Sequence, residues 1–312
     1  MKATMKIRGL LLFTLALASS TLVLSACGGG GDAGGADTLG ANASRNADSE
    51  KRGIQSTTSP ITTTTTSTTV ATTTYWRPSL TDTWQWQLSG TINASYPVSI
   101  YDIDLFDTPT DTIRALQNSG KKVICYFSAG SSENWRPDYT RFQTADMGNP
   151  LSGWQGERWL DTRSLNVRQI MRARLDLAVN KGCNAVEPDN VDGYTNSSGF
   201  SLTSANQLDY NRFLATEANS RGLAIGLKND VGQIADLVAY FDFAINEECH
   251  IYSECGAYQA FTSVGKPVFN AEYANAYRND PVALCTDARA RQFHTLVLAK
   301  GLDDSFRYSC EP

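Results

Sequence analysis

The most regular feature of the chain is a helix-like pattern of apolar positions that ends at a glycine and is followed at once by a short apolar run. Before Gly182, for example, Val167, Ile170, Met171 and Leu175 lie at helical spacing on one face. Glycine is the usual residue after a helix, because it adopts a left-handed conformation without steric penalty. The same unit recurs at Gly120, Gly182, Gly222, Gly265 and Gly301. The repetition predicts helices that alternate with strands.

The apolar runs predict eight short strands, at residues 98–106, 122–127, 159–161, 184–187, 223–228, 241–246, 268–272 and 306–308. Strands that alternate with helices form parallel sheets. Eight parallel strands are the number that closes a (β/α)8 barrel. The predicted fold class is therefore α/β, a (β/α)8 TIM-type barrel over residues 75–312.

Carboxylates gather where two of these strands end. Residues 187–192 hold Glu187, Asp189 and Asp192, and the strand at 241–246 is followed by Glu247 and Glu248. Neighbouring carboxylates repel each other and lose solvation, so such clusters indicate chemistry or a bound cation. Glycoside hydrolases need two acids, one as acid and one as nucleophile or base. A calcium site or a solvated acidic rim would give the same pattern.

Other chemistries find little support in the sequence. The two histidines, His250 and His294, are not in an H-x-x-x-H or H-E-x-x-H spacing, so no metal site and no cofactor are predicted. No G-x-S-x-G or phosphate-binding glycine motif is present, and Ser128 has no histidine partner in its motif. Both histidines are predicted to be structural.

The N-terminal region predicts export rather than a folded domain. Basic residues precede an apolar run at 10–24 that is too short to span a bilayer, which is typical of a signal peptide over residues 1–26. The run ends in a sequence similar to the bacterial lipobox, so Cys27 is predicted to carry lipid. Gly28 rather than aspartate follows it, which favours the outer membrane, facing the periplasm or the exterior. Residues 27–74, rich in Gly, Ser and Thr, are predicted to be a disordered tether.

The cysteines fit an oxidising compartment. Without Cys27, six of the seven cysteines remain, an even number that suggests three disulfides. The sequence does not choose among the possible pairings, and our working assignment is Cys125–Cys183, Cys249–Cys255 and Cys285–Cys310. A zinc site is the competing interpretation, and the lack of a C-x-x-C pair counts against it.

The composition restricts the partners. A net charge of −5 favours a cationic partner and argues against nucleic acid, and we expect a monomer that meets a membrane only through its lipid. All six tryptophans lie between residues 76 and 159. They are predicted to fill the core or to bind sugar rings.

Seven motifs in order resemble glycoside hydrolase family 114, at residues 101–107, 125–130, 157–161, 187–194, 226–230, 246–249 and 272–273. The resemblance implies a (β/α)8 barrel with endo-α-1,4-polygalactosaminidase activity, acting on galactosamine and N-acetylgalactosamine polymers. It further implies Asp189 as nucleophile on the fourth strand and Glu247 as general acid/base on the sixth. Glu248 departs from the glutamine expected there.

The implied substrate is a cationic exopolysaccharide, because each free amine of such a polymer carries a positive charge. Acids would attract it, aromatic rings would pack on its sugar faces, and Lys228 would steady a carboxylate. The predicted substrate-binding residues are Asp102, Asp104, Tyr126, Trp159, Glu187, Asp192, Lys228, Asn229, Glu272 and Tyr273.

Two other functions are weighed against hydrolysis. A lipid-anchored protein that binds amino-sugar matrix polysaccharide without cutting it would use the same cleft. The pair of acids, Asp189 and Glu247, favours hydrolysis over this alternative. Deacetylation would require an Asp-His-His type metal site, which two scattered histidines do not supply.

Overall fold

The computed structural model describes residues 74–311, and the predicted signal peptide, Cys27 and the tether up to residue 73 lie outside them. In chain order the strands are β1 (Trp84–Gln87), β2 (Ile100–Asp104), β3 (Lys122–Ser128), β4 (Ser131–Glu133), β5 (Met147–Pro150), β6 (Glu157–Leu160), β7 (Ala185–Asp189), β8 (Ala224–Lys228), β9 (Phe243–Glu247), β10 (Val268–Glu272), β11 (Phe293–Leu298) and β12 (Arg307–Ser309). The helices are α1 (Thr110–Asn118), α2 (Leu165–Lys181), α3 (Ser204–Ser220), α4 (Ile234–Leu237), α5 (Gln259–Thr262), α6 (Asn275–Asn279) and α7 (Val282–Ala290).

The main sheet has the order β1-β2-β3-β7-β8-β9-β10-β11-β12. Neighbours from β1 to β11 are parallel, and only β12 is antiparallel to its partner. Helices separate most of the parallel strands along the chain. Strands β4, β6 and β5 form a small antiparallel sheet inserted between β3 and α2. The predicted (β/α)8 barrel is confirmed, with eight parallel strands.

Side chains connect the first strand to the last two. Arg307 donates from Nε to Gln85 Oε1 at 2.6 Å and from Nη2 to the Trp84 carbonyl at 3.2 Å. The Trp84 indole donates to the His294 carbonyl on β11 at 2.9 Å. The curled sheet is thus closed by polar contacts where no strand ladder joins β1 to β11.

Six of the eight predicted strands are barrel strands, and two predictions are wrong. Residues 159–161 overlap β6, which belongs to the small antiparallel sheet. Residues 306–308 overlap β12, which runs antiparallel to the other strands and is not the eighth parallel one. The eighth parallel strand is β11, which follows Gln292 rather than a glycine. Gln292 itself takes the left-handed conformation (φ 60°), so a search for glycine stop signals misses this boundary.

The other missed strand is β1, whose Trp-Gln-Trp-Gln sequence is short and half polar. Because β1 precedes the wrongly included 159–161 segment, the two errors compensate in the strand count. Asp189 still ends the fourth parallel strand, and Glu247 ends the sixth.

The core has two layers, one inside the barrel and one between the sheet and the helices. Strand β2 shows the reason, because successive side chains of a strand point to opposite faces. Tyr101 and Ile103 pack in the outer layer, and Ile100 packs in the inner one. The acids that alternate with Tyr101 and Ile103, Asp102 and Asp104, therefore face the barrel interior.

All three disulfides of the working assignment are confirmed: Cys125–Cys183, Cys249–Cys255 and Cys285–Cys310. Each stabilises the fold by about 2–4 kcal/mol when unstrained. Cys249–Cys255 closes the loop directly after Glu247 and so restrains the chain beside the site. No helix among residues 74–311 is long and apolar enough to cross a membrane.

The segment before β1 is fastened to the end of the barrel opposite the strand carboxyl ends. Arg77 Nε donates to Asp242 Oδ1 at 2.7 Å, and Tyr75 Oη donates to Asn219 at 2.7 Å. Asp242 also accepts the buried Ile225 N–H at 3.1 Å.

We expect Asp242→Ala to lower the free energy of unfolding by about 1–3 kcal/mol, because it leaves the Ile225 N–H without an acceptor. Urea denaturation measures the change. Asp236→Ala, which removes an exposed carboxylate on α4, should stay within about 0.5 kcal/mol of wild type. Equal losses in the two variants would contradict this role of Asp242.

Candidate active site

The carboxyl ends of β7, β8 and β9 bring three predicted residues together. Asp189, Lys228 and Glu247 are the last residues of these neighbouring strands. The Lys228 amine lies 3.5 Å from Asp189 Oδ1 and 3.5 Å from Glu247 Oε2. One buried cation therefore stands between the two acids.

Asp189 is held by hydrogen bonds from both sides. Tyr126 Oη donates to its Oδ2 at 3.1 Å, and the Asn190 N–H donates to its Oδ1 at 2.7 Å. The backbone is fixed as well, because the N–H groups of Ala129 and Gly130 donate to the Asp189 carbonyl. A Cβ at Gly130 would lie 1.7 Å from the Asn190 carbonyl oxygen, so only glycine fits there.

Glu247 is held in the same way on the other side of Lys228. Tyr273 Oη donates to its Oε1 at 2.8 Å, and Asn229 Nδ2 lies 3.4 Å from its Oε2. The Glu247 N–H donates to Asn229 Oδ1 at 3.0 Å. Asn229 and Tyr273 therefore position the acid.

Two further acids lie below these groups and are fully buried. Glu187 Oε1 accepts from the Lys228 amine at 2.6 Å. Among residues 74–311, no group donates to Glu187 Oε2 or to either carboxylate oxygen of Asp102. Burial raises the pKa of Glu187 to about 7, against the opposing effect of Lys228. Burial and the Glu187 carboxylate raise the pKa of Asp102 well above its ordinary value.

The donors around the acids keep their protons. Burial lowers the pKa of Lys228, but the carboxylates of Asp189, Glu187 and Glu247 outweigh it and raise this pKa well above its ordinary value. Burial and nearby carboxylates also raise the pKa of the Tyr126 and Tyr273 phenols well above the ordinary value. Lysine and phenols thus remain donors at neutral pH.

A cavity of about 580 Å³ opens above Asp189, Lys228 and Glu247, within the usual range for small-molecule sites. It extends over the first three strands, toward the loops after β1 and β2. Five acids and three cations line it, an excess of two negative charges: Asp104, Asp107, Glu133, Asp189, Glu247, Arg136, Lys228 and Lys300. Aromatic rings on its wall are Trp86, Tyr126, Trp135 and Trp154.

Several residues predicted to bind substrate are elsewhere or already engaged. Asp104 lines the cavity, but Arg136 binds it through two hydrogen bonds of 2.6 and 2.9 Å. Glu272 is fully buried and accepts from the His250 N–H and Nδ1 at 3.0 Å each. Besides the buried Asp102 and Glu187, five further predicted residues lie outside the cavity wall: Trp159, Asp192, Asn229, Glu272 and Tyr273. Asn229 and Tyr273 contact the cavity acid Glu247.

Sequence reasoning missed much of the cavity wall. Trp135 and Trp154 come from the β4–β6 insertion, which the sequence presents as one barrel strand. The concentration of tryptophan before residue 160 was the available signal. Nothing in the sequence pointed to Arg136, because its partner Asp104 is 32 residues away along the chain.

A cluster suited to a metal ion occurs beside the site but cannot supply thiolates. Cys249, His250 and Cys255 offer ligand atoms within 4.8 Å of one another. The two sulfur atoms are bonded to each other in the disulfide. Metal ligation by cysteine requires the deprotonated thiol.

Two opposed carboxyl groups in a cavity at the carboxyl face of a (β/α)8 barrel are the arrangement of a glycoside hydrolase. A sequence model of glycoside-hydrolase family GH114 matches residues 65–312. The chain belongs to this family, and it is a glycoside hydrolase.

Two solved structures and one sequence show what the chain is similar to. The crystal structure of Aspergillus fumigatus Ega3 in complex with galactosamine is 42% identical, with a TM-score of 0.72 over 77% of this chain and 100% of that one. The glycoside hydrolase domain of PelA from Pseudomonas aeruginosa is 12% identical, with a TM-score of 0.57 over 73% and 97% of the two chains, and shows the fold alone. An uncharacterized protein of Deinococcus radiodurans is 25% identical over 232 residues, 64% of this chain and 75% of that protein.

Proposed function

We propose that the protein hydrolyses α-1,4-linked polymers of galactosamine and N-acetylgalactosamine. It cuts internal linkages of the polysaccharide and retains the configuration of the anomeric carbon. The observation that carries the proposal is the pair Asp189 and Glu247, held on either side of Lys228 in the cavity. Family membership and the galactosamine complex of Ega3 support the choice of sugar.

In the proposed first step, Glu247 gives its proton to the glycosidic oxygen while Asp189 attacks the anomeric carbon. The bond to the leaving sugar breaks, and a glycosyl ester forms on Asp189. In the second step, Glu247 takes a proton from water, the water oxygen attacks the anomeric carbon, and Asp189 leaves as a carboxylate. Tyr126 and Asn190 orient the nucleophile, and Tyr273 and Asn229 orient the acid.

The spacing of the acids supports retention. Asp189 Oδ1 and Glu247 Oε2 are each 3.5 Å from the same Lys228 nitrogen, so they are separated by at most twice that distance. Retaining enzymes place their carboxyl groups about 5–5.5 Å apart, and inverting enzymes about 6.5–9.5 Å. This upper limit on the separation of the two carboxyl groups excludes most of the separations found in inverting enzymes.

The substrate is recognised by charge and by apolar surface. The excess negative charge of the cavity attracts protonated amines. Trp135, whose side chain is 38% exposed, and Tyr126 offer faces on which sugar rings pack. Among the acids on the wall, Asp107 is 57% exposed, and its contact with Arg136 is 3.3 Å long, against 2.6 Å for Asp104. Its carboxylate can therefore also accept an ammonium group of the substrate.

We further propose, from the sequence alone, that the mature protein is a monomer anchored by lipid on Cys27 to the cell envelope, in the outer membrane. Residues 27–74 would then carry the hydrolase away from the membrane.

The experiment that tests the function is incubation of residues 75–312 with defined α-1,4-galactosamine oligomers, followed by mass spectrometry. Internal cleavage products are expected, and the first product should keep the α configuration by NMR. Products that are one sugar long throughout would contradict endo action. A protein that binds the oligomers without cutting them would establish the binding alternative instead.

Charge recognition gives a separate prediction. Partly deacetylated polymer should be cut faster than fully N-acetylated polymer, and salt should slow only the former, because the Debye length falls from about 10 Å at 0.1 M to about 3 Å at 1 M. Asp107→Asn should lower kcat/KM on the deacetylated polymer roughly fivefold, or about 1 kcal/mol.

The matched control is Asp111→Asn, which removes a 93% exposed carboxylate on α1. It should leave the preference for deacetylated polymer intact. Equal rates on both polymers at low salt would show that the acids serve catalysis and not the selection of cations.

A further inference from the structure

Asp102 is a buried acid that the proposed mechanism does not use. Its side chain is fully buried inside the barrel, and no N–H or O–H group among residues 74–311 donates to either of its oxygens. Its neighbour inside the barrel is another buried acid, Glu187, whose Oε2 likewise lacks a donor in the described part of the chain. Oxygen atoms of two carboxylates form a hydrogen bond only when a proton lies between them.

The surroundings provide one cation for several acids. Glu187 Oε1 accepts a hydrogen bond from the Lys228 amine. No group in the described part of the chain donates to Glu187 Oε2. The same amine also faces Asp189 and Glu247. Full ionisation would place four negative charges around one positive charge in a buried site, which is energetically prohibitive.

We propose that Asp102 holds a proton that it donates to Glu187, and that this proton makes Asp102 a positioning residue for the catalytic pair. This inference rests on the proposed function. Asp102 acts on the catalytic pair through Glu187 and Lys228. The proton keeps Glu187 an ionised acceptor for Lys228, and Lys228 held by Glu187 neutralises Asp189 and Glu247 less completely.

The charge on Glu247 is the sensitive point, because the first step requires it to be protonated. If the Lys228 amine moved closer to Glu247, it would stabilise the ionised carboxylate of Glu247. Glu247 would then lose its proton at a lower pH. Tyr273, Asn229 and the nearby Glu248 are the other polar groups that face Glu247. Asp189 is faced by Tyr126 and Lys228.

Substitutions at Asp102 separate the proposal from a merely structural role. Asp102→Leu removes the donor, so Glu187 binds its proton up to a higher pH and Lys228 turns to Asp189 and Glu247. The descending limb of kcat against pH should move to lower pH by about one unit. Asp102→Asn keeps an N–H donor and no charge, so its limb should coincide with that of wild type.

Two outcomes of this comparison would overturn the proposal. If Asp102→Asn moves the limb as far as Asp102→Leu, the wild-type residue is ionised. If neither variant moves it, Asp102 has no influence on the acid.

A spectroscopic measurement tests the proton without any substrate. In a Glu247→Gln background, which removes the other acid that the mechanism keeps protonated, infrared spectra at about pH 8 should show the C=O stretch of a buried carboxylic acid. Asp102→Asn added to this background should abolish the band. Absence of the band before Asp102 is changed would refute the shared proton. Failure of the wild-type protein to cut any polymer would refute the proposed function and leave this result standing.

Discussion

Asp189→Asn and Glu247→Gln should each reduce kcat by at least about 10²–10⁴, the usual range for loss of a general acid or base. Each change removes one ionisable group and keeps the shape of the side chain. Tyr126 and Tyr273 can still donate to the amide oxygens. The variants should therefore fold and bind polymer while they no longer cut it.

Hydrolysis by the two variants is measured by reducing-end release, and binding by calorimetry with oligomers. The matched control is Glu248→Gln, which removes the neighbouring acid and restores the residue that the family resemblance predicts. It should retain activity within about tenfold of wild type. Turnover within tenfold of wild type in both Asp189→Asn and Glu247→Gln would refute the assignment of the catalytic pair.

Lys228→Met should have the largest effect on stability, a loss of about 3–5 kcal/mol at neutral pH, because it leaves buried carboxylates without their cation. Loss of the amine raises the pKa of Glu187 further above its value of about 7. A carboxyl group with a raised pKa in the folded state stabilises the fold at pH values below its unfolded pKa. This stability is lost as the pH rises through the folded pKa.

The stability of the Lys228→Met variant should therefore approach that of wild type near pH 4 and fall progressively toward about pH 8. Urea denaturation at several pH values measures this. Lys300→Met, which removes the exposed lysine of the same cavity, should change stability by no more than about 0.5 kcal/mol at any of them. Glu187→Gln added to Lys228→Met should restore part of the loss. A loss that does not depend on pH would mean that Lys228 acts through packing alone.

The family and most of the fold could be predicted from the sequence because their signals are local. Strand-end acids, glycine stop signals and the order of the motifs all lie within short windows. Six barrel strands follow from them, and so does the placing of Asp189 and Glu247 at the ends of two strands. The missed β1 and β11 lack the local signal, since one is half polar and the other follows Gln292.

The tertiary structure decided which acids line the cavity and which are buried beneath it. Asp102, Asp104 and Glu187 look alike in sequence, as acids on or near strand ends. Burial, Arg136 and Lys228 give them three different environments.

The sequence by itself determined the residue types and the side of each strand on which they point, because alternation along a strand is a local property. Only the closed barrel determined their depth and their partners. Lys228 reaches Glu187, 41 residues away, and Arg136 reaches Asp104, 32 residues away. The register between strands sets these contacts, and it depends on how the whole sheet curls and closes.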